Sequence, residues 1–130
     1  MATITPKLTI TSTTAVTGET LNISVDDLLV VASPIVGMSV VDAEVTSGSV
    51  TAIKPSGSAN QYVYIKHTGF QADGTSATTN QLVVKFASTE SLRLAAGEFA
   101  FFPCKSDVVV NVISSSSQVI KTEYAYWTAG

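Results

Sequence analysis

Few residues in this chain have side chains that could perform chemistry, and those few are scattered. His67 is the only histidine and Cys104 the only cysteine among the 130 residues. A single histidine cannot build a histidine-rich metal site, and no spacing joins it to a serine and an aspartate. We therefore expect His67, before Gly69, to be a surface or edge residue and Cys104 to be a buried structural thiol. A Cys–His pair remains geometrically open, but the spacing does not support it.

The acidic residues give no stronger signal. Asp26 and Asp27 could bind Ca²⁺ with loop carbonyls, yet the alternating acidic ligands of a calcium loop are missing, which favours a plain turn. Asp73 and Gly74 are an ordinary turn pair. No glycine-rich phosphate loop and no pair of catalytic acids stands out. The sequence predicts no enzyme, no cofactor and no metal needed for folding, so a chelator should leave the melting temperature unchanged.

Aromatic side chains are the remaining candidates for binding. Tyr62 and Tyr64 share one strand face, and Tyr124 and Tyr126 share another, with Trp127 opposite. An exposed aromatic row could stack on sugar rings. The alternative is cross-strand packing within the fold, with each hydroxyl reaching water at the rim, and we favour it. Burial of the tyrosines distinguishes the two interpretations.

Composition and charge restrict the class of partner. Charged residues make up 13% of the chain and the net charge is −3, while threonine, serine and valine number 17, 16 and 17. The seven basic residues are dispersed, whereas a nucleic acid or an anionic membrane is bound by clustered lysine and arginine. We expect neither partner. A weakly charged surface of this kind is easily desolvated, which favours contact with other proteins.

The positioning elements are strands. β-branched residues dominate, and apolar residues alternate with polar ones in short runs separated by turn signals about every 8–12 residues. The pattern predicts an all-β, antiparallel β-sandwich of the jelly-roll or Ig-like kind, with at most one short helix, at residues 88–96. Residues 1–6 are predicted to be an extended N-terminal arm and residues 7–130 a single β-sandwich domain. The predicted core comprises Leu8, Ile10, Leu21, Ile23, Val63, Ile65, Leu82, Val84, Phe86, Val108, Val110 and Val112.

Two features predict association with other subunits. Residues 35–45 and 108–113 are apolar on both strand faces, and a neighbouring subunit could cover the second face. The uncharged arm contains Ile4 and Pro6, which suit docking in a groove. The sequence also begins without a basic region followed by an apolar stretch, so we expect no signal peptide and synthesis in the cytoplasm.

The last third of the chain has a distinctive order of segments. Within residues 92–127, a Leu-Arg-Leu run leads to Ala-Gly-Glu-Phe and an aromatic strand ending in Pro103. A valine-rich strand, a short polar turn and a final Glu-Tyr-Ala-Tyr-Trp strand follow. This order resembles the C-terminal part of small tailed-bacteriophage virion proteins, notably head decoration or cement proteins. It contains no motif with fixed functional residues, so no site is transferred.

The resemblance implies a virion protein that sits on a capsid lattice and bridges neighbouring major capsid proteins, often as a trimer. Localisation in the virion and binding to the major capsid protein or other virion proteins are therefore expectations. The alternative is a carbohydrate-binding or adhesion module, such as a head-fibre or tail component, that uses the surface tyrosines. The candidate partner-binding residues are Ile4, Pro6, Tyr62, Tyr64, Tyr124 and Tyr126.

Overall fold

Eleven β-strands and no helix make up the described part of the chain. The computed structural model describes residues 2–130, without the side chains of Val16 and Pro34. The strands are β1 (Ala2–Ile4), β2 (Lys7–Val16), β3 (Glu19–Asp26), β4 (Leu29–Ala43), β5 (Thr51–Lys54), β6 (Gln61–His67), β7 (Leu82–Phe86), β8 (Thr89–Leu94), β9 (Phe99–Cys104), β10 (Val110–Ser114) and β11 (Ile120–Ala129). All paired strands are antiparallel. The predicted all-β antiparallel fold is confirmed.

Two of the three sheets pack face to face as a sandwich. One has the strand order β1-β4-β11-β6-β9 and the other β5-β10-β7-β8. Both contribute to one apolar core, which comprises Ala43, Ile53, Val63, Ile65, Leu82, Val84, Leu94, Cys104, Val110, Val112 and Ile120. Six of the predicted core residues are in this cluster, and Phe86 and Val108 pack against it. Period-2 alternation therefore identified the inward faces of β6, β7 and β10 correctly.

The predicted helix at residues 88–96 is wrong, because this segment contains strand β8. In the pairing of β8 with β7, Leu94 lies opposite Leu82 and Leu92 opposite Val84. Leu94 is buried and Leu92 packs against the core. Capping signals are weak and local, and cross-strand pairing that buries two leucines outweighs them.

The β2–β3 hairpin forms the third sheet. It contains four residues that were predicted to lie in the core, and the structure places them outside the core. Leu8, Ile10 and Ile23 are exposed, and Leu21 is only half-buried. The two strands pair with each other and pack little against the sandwich. Alternation marks one face of a strand as apolar, but it does not say whether the same chain covers that face.

The segment predicted as an extended arm is a paired strand over Ala2–Ile4. β1 forms the edge of the five-stranded sheet, where Ile4 lies opposite Leu29 of β4. Just beyond it, the Asp27 N–H donates to the Pro6 carbonyl oxygen at 3.3 Å, and this bond closes the root of the hairpin. Met1 lies outside the described residues.

The loop between β6 and β7 contains a turn organised by Asp73. Its Oδ1 accepts hydrogen bonds from the N–H groups of Thr75 at 2.9 Å and Ser76 at 2.8 Å. Its Oδ2 accepts one from the Ser76 hydroxyl at 2.5 Å. These bonds, the Ser76 hydroxyl foremost, favour the charged carboxylate and lower the pKa of Asp73 from 3.8 to about 2.

Removing the Ser76 hydroxyl should raise the pKa of Asp73 toward its ordinary value. A depressed carboxyl pKa stabilises the turn fully above 3.8, and this contribution is lost as the pH falls toward about 2. We expect Ser76→Ala to move that loss to higher pH, as measured by a carboxyl NMR titration. Thr75→Ala is the matched control, since the Thr75 hydroxyl contributes least to the shift. An unchanged Asp73 titration in Ser76→Ala would contradict this account.

Candidate interaction surface

The β2–β3 hairpin is amphipathic because five successive cross-strand pairs, from Lys7–Asp26 to Thr11–Asn22, match in character, whereas the next pair, Ser12–Leu21, is mixed. Its apolar face comprises Leu8, Ile10, Leu21, Ile23 and Val25. Its polar face comprises Lys7, Thr9, Thr11, Asn22, Ser24 and Asp26. Leu8, Ile10, Ile23 and Val25 are between 39% and 56% exposed. An isolated two-stranded hairpin is marginally stable in water, so this face needs a covering surface.

The outer face of the five-stranded sheet is also apolar where β9, β6 and β11 meet. We define the aromatic face by the outward residues Tyr62, Tyr64, Phe99, Phe101, Pro103 and Trp127. The Tyr62 and Phe101 rings stack with centroids 6.3 Å apart and an interplanar angle of 12°. Phe99 is 59% exposed and Phe101 37%. Such contiguous apolar surface marks an interaction site more often than isolated apolar residues do.

Electrostatics on this sheet are mild. Burial, with a smaller contribution from the Glu123 carboxylate, raises the pKa of the Tyr64 hydroxyl above its ordinary value. Glu123 lies directly opposite Lys66 in the pairing of β11 with β6, which places charges of opposite sign side by side. The sheet therefore presents aromatic surface with little net charge.

An apolar cavity of about 850 Å³ lies between the root of the hairpin and β9. It is lined by Pro6, Lys7, Leu8, Val25, Asp27, Leu29, Tyr62, Phe86, Leu92 and residues 99–103. Lys7 and Asp27 are the only charged residues in this lining, and they have opposite signs. We call this cavity the hairpin groove, since the apolar face of the hairpin continues directly from its wall.

The structure separates the six predicted partner-binding residues. Pro6 and Tyr62 line the hairpin groove, and Tyr64 lies beside Tyr62 on the aromatic face. Tyr124 and Tyr126 pack against the core from the inner face, so the four tyrosines form no common platform. Ile4 is half-buried in β1. The exposed residues Leu8, Ile10, Ile23, Val25 and Phe99 were missed, although their alternation and aromatic character were visible in the sequence.

Of the two segments predicted to be apolar on both faces, only one leaves a face exposed. On β4, Ile35, Met38 and Val40 are exposed, whereas Val41 packs against the core. On β10, Val110, Val112 and Ile113 are all buried within the chain. The second face of β10 is thus covered by the protein itself.

His67 is fully buried, so its predicted surface position is wrong. Its Nε2 lies 2.8 Å from the Asn80 carbonyl oxygen, and its Nδ1 accepts a hydrogen bond from the Gly69 N–H at 2.9 Å. These partners require a neutral ring protonated at Nε2. Both nitrogens are therefore occupied by backbone groups of the β6–β7 loop.

Cys104 is a buried free thiol, as predicted. It lies opposite Gln61 at the start of β6, whereas His67 ends that strand, so the two are about 20 Å apart. A Cys–His pair is thus excluded by geometry. Burial raises the pKa of the Cys104 thiol, although the Lys54 ammonium opposes the shift, and a thiol with a raised pKa is a poor nucleophile.

Lys54 is a buried lysine that the sequence did not reveal. Its Nζ donates hydrogen bonds to the carbonyl oxygens of Lys105 at 3.1 Å, Ser106 at 3.4 Å and Val108 at 2.5 Å. Burial lowers the pKa of Lys54, and the charges of Cys104 and Asp107 oppose this. The three carbonyls occupy its donors, so Lys54 fastens the β9–β10 loop to β5.

The acidic side chains of the described residues do not gather into a metal site. Asp27 Oδ1 accepts a hydrogen bond from the adjacent Leu28 N–H at 2.8 Å. Within residues 2–130 no three His, Cys, Asp or Glu side chains are grouped as metal ligands, and no helix there is long and apolar enough to cross a membrane.

No protein-family model matches the chain, and no curated protein is significantly similar to it.

Proposed function

We propose that this chain is a non-enzymatic virion structural protein, a capsid decoration or cement protein that binds and stabilises a lattice of major capsid proteins. The proposal rests chiefly on the apolar face of the hairpin, which extends beyond the sandwich without cover. A monomeric protein with no partner would gain nothing from keeping such a face in water. A subunit of a larger assembly would bury it.

The sandwich supports a structural role. A lattice contact repeated many times requires a stiff module, and here one core joins both sheets and buried side chains fasten the loops. Lys54 holds the β9–β10 loop, and His67 holds the β6–β7 loop. The side chains of Lys54 and His67 thus hold loops in place.

A carbohydrate-binding or adhesion module is the second candidate. Tyr62, Tyr64 and Trp127 lie together on the outer face of the five-stranded sheet, and aromatic rings there could stack on sugars. Against it, Tyr124 and Tyr126 pack against the core, so the four tyrosines do not form one exposed platform. We therefore place this function second.

The structural role can be tested by fractionating the capsid particles that are produced in cells expressing this chain. We expect the chain to migrate with capsid particles in a density gradient, at a fixed mass ratio to the major capsid protein measured by mass spectrometry. Particles stripped of the chain should bind the purified protein again and resist heat better after binding. A chain that stays in the soluble fraction and does not bind stripped particles would contradict the proposal. Retention of such a chain on a polysaccharide column would support the second candidate instead.

A further inference from the structure

The hairpin and the hairpin groove have matching properties within one chain. The groove is apolar and open, and its volume is in the range of about 300–1,000 Å³ typical of sites that bury a ligand. The apolar face of the hairpin offers five aliphatic side chains, with Ser12 opposite Leu21 and the charged Glu19 only at the far end of the same side of β3. The hairpin's own root forms one wall of the groove, so its outer part cannot fold back into it. The occupant must come from another molecule.

We infer that the hairpin groove is the docking site for the hairpin of a second copy of this chain. In this contact Ile10 and Ile23 of one copy lie over Phe99 and Phe101 of the other. The inference deepens the proposed structural function by naming the subunit contact, but it does not require attachment to a shell. Two copies related by a twofold axis would each donate a hairpin and receive one.

The exposed area is sufficient for a stable contact. The exposed fractions of Leu8, Ile10, Ile23, Val25, Phe99 and Phe101 correspond to roughly 500 Å² of apolar surface per copy for side chains of ordinary size. A closed pair would therefore bury about 1,000 Å² of apolar surface. Since apolar atoms supply about 60% of a typical interface, the whole contact would reach the standard size of about 1,600 Å².

Charge also permits two identical surfaces to meet. The only charged residues that line the groove are Lys7 and Asp27, one of each sign. Neither belongs to the apolar face of the hairpin. Two copies can thus approach without like-charge repulsion, which would oppose association of a surface with a strong charge of one sign.

The test compares two paired variants of the hairpin in analytical ultracentrifugation. Ile10 and Ile23 lie directly opposite each other on the apolar face, and Thr11 and Asn22 on the polar face. We expect Ile10→Glu with Ile23→Glu to weaken self-association by roughly 100-fold or more, because two carboxylates would be buried. Thr11→Glu with Asn22→Glu introduces the same cross-strand repulsion and should associate like the wild type. Circular dichroism confirms that each variant is folded.

A variant of the groove identifies the surface that receives the hairpin. Phe99→Glu should also abolish self-association, whereas Met38→Glu, an exposed residue outside the groove, should not. A mixture of the Ile10/Ile23 variant with Phe99→Glu retains one intact hairpin and one intact groove. We expect native mass spectrometry to detect the mixed pair although neither variant associates alone.

Three results would overturn the inference. They are a wild-type chain that remains monomeric at about 1 mM, an Ile10/Ile23 variant that associates like the wild type, and a Phe99→Glu variant that associates normally. The last would indicate packing of hairpin on hairpin. These assays contain no shell, so their failure is distinct from failure of the particle-binding experiment.

Discussion

Replacing Lys54 with methionine is expected to destabilise the protein by about 3 kcal/mol, although the new side chain has a similar length and is apolar. The Lys54 side chain is fully buried, and its ammonium group donates to three carbonyl oxygens of the β9–β10 loop. Methionine can fill the space but cannot donate. Loss of the shortest bond would leave the Val108 oxygen, a partly buried acceptor, without its donor.

The opposing effect is smaller. Burial lowers the pKa of Lys54, which means that the charge is unfavourable in its site, and methionine would relieve this penalty. Replacing a whole buried polar group together with its partners can even stabilise a protein, but here the partners are backbone carbonyls and remain. Two of them have a second donor, since Val108 N–H bonds to Lys105 and Gly57 N–H to Ser106. We therefore expect net destabilisation, with Val108 the main site of loss.

Chemical denaturation of Lys54→Met and Lys105→Met measures this difference. Lys105 is the matched control, because its exposed ammonium pairs with the similarly exposed Asp107 carboxylate at 3.1 Å, and such surface pairs contribute little to stability. Hydrogen exchange should accelerate at residues 105–108 in the Lys54 variant. Equal stability of the two variants would show that the buried ammonium is dispensable.

Features of the fold that follow from neighbouring residues could be predicted from the sequence, whereas features that depend on contacts with distant segments could not. The inward faces of β6, β7 and β10 follow from alternation within each strand, so Val63, Val84 and Val112 were assigned correctly. Strand β8 was mistaken for a helix because Ser88 and Gly97 resemble caps. It pairs with the neighbouring strand β7, and its leucines pack into a core built largely from strands distant in sequence.

The candidate surface was less predictable than the fold. Ile10 and Ile23 show the same alternation as Val63, yet the first two are exposed and the last is buried. The difference is whether another sheet of the same chain packs on the face, and no local pattern contains that information. Lys54 and His67 were missed for a related reason, since polar residues enter a core only where backbone groups of another segment meet them.

Replacing His67 with phenylalanine is expected to destabilise the protein by about 2–4 kcal/mol. The change removes the imidazole ring to which two backbone groups of the loop after β6 are hydrogen-bonded. Phenylalanine resembles histidine in shape, so little cavity forms. The Asn80 carbonyl would lose its donor at 2.8 Å and the Gly69 N–H its acceptor at 2.9 Å. Each buried group left unpaired costs about 1–3 kcal/mol, and both of these bonds are partly buried.

The control is Lys66→Phe at the adjacent outward position of β6. Phenylalanine suits a strand, and Lys66 is only half-buried, so this change should alter stability by less than about 1 kcal/mol. In the wild type, ¹⁵N NMR should show a His67 imidazole that is protonated at Nε2 and unprotonated at Nδ1, because the two backbone partners allow no other neutral form. In His67→Phe the Gly69 and Asn80 amides should exchange faster while those of β10 keep their order of protection. The opposite tautomer, or unchanged stability of His67→Phe, would mean that the loop is fastened by its other hydrogen bonds, chiefly the Thr78 N–H to the Gly69 oxygen at 3.0 Å.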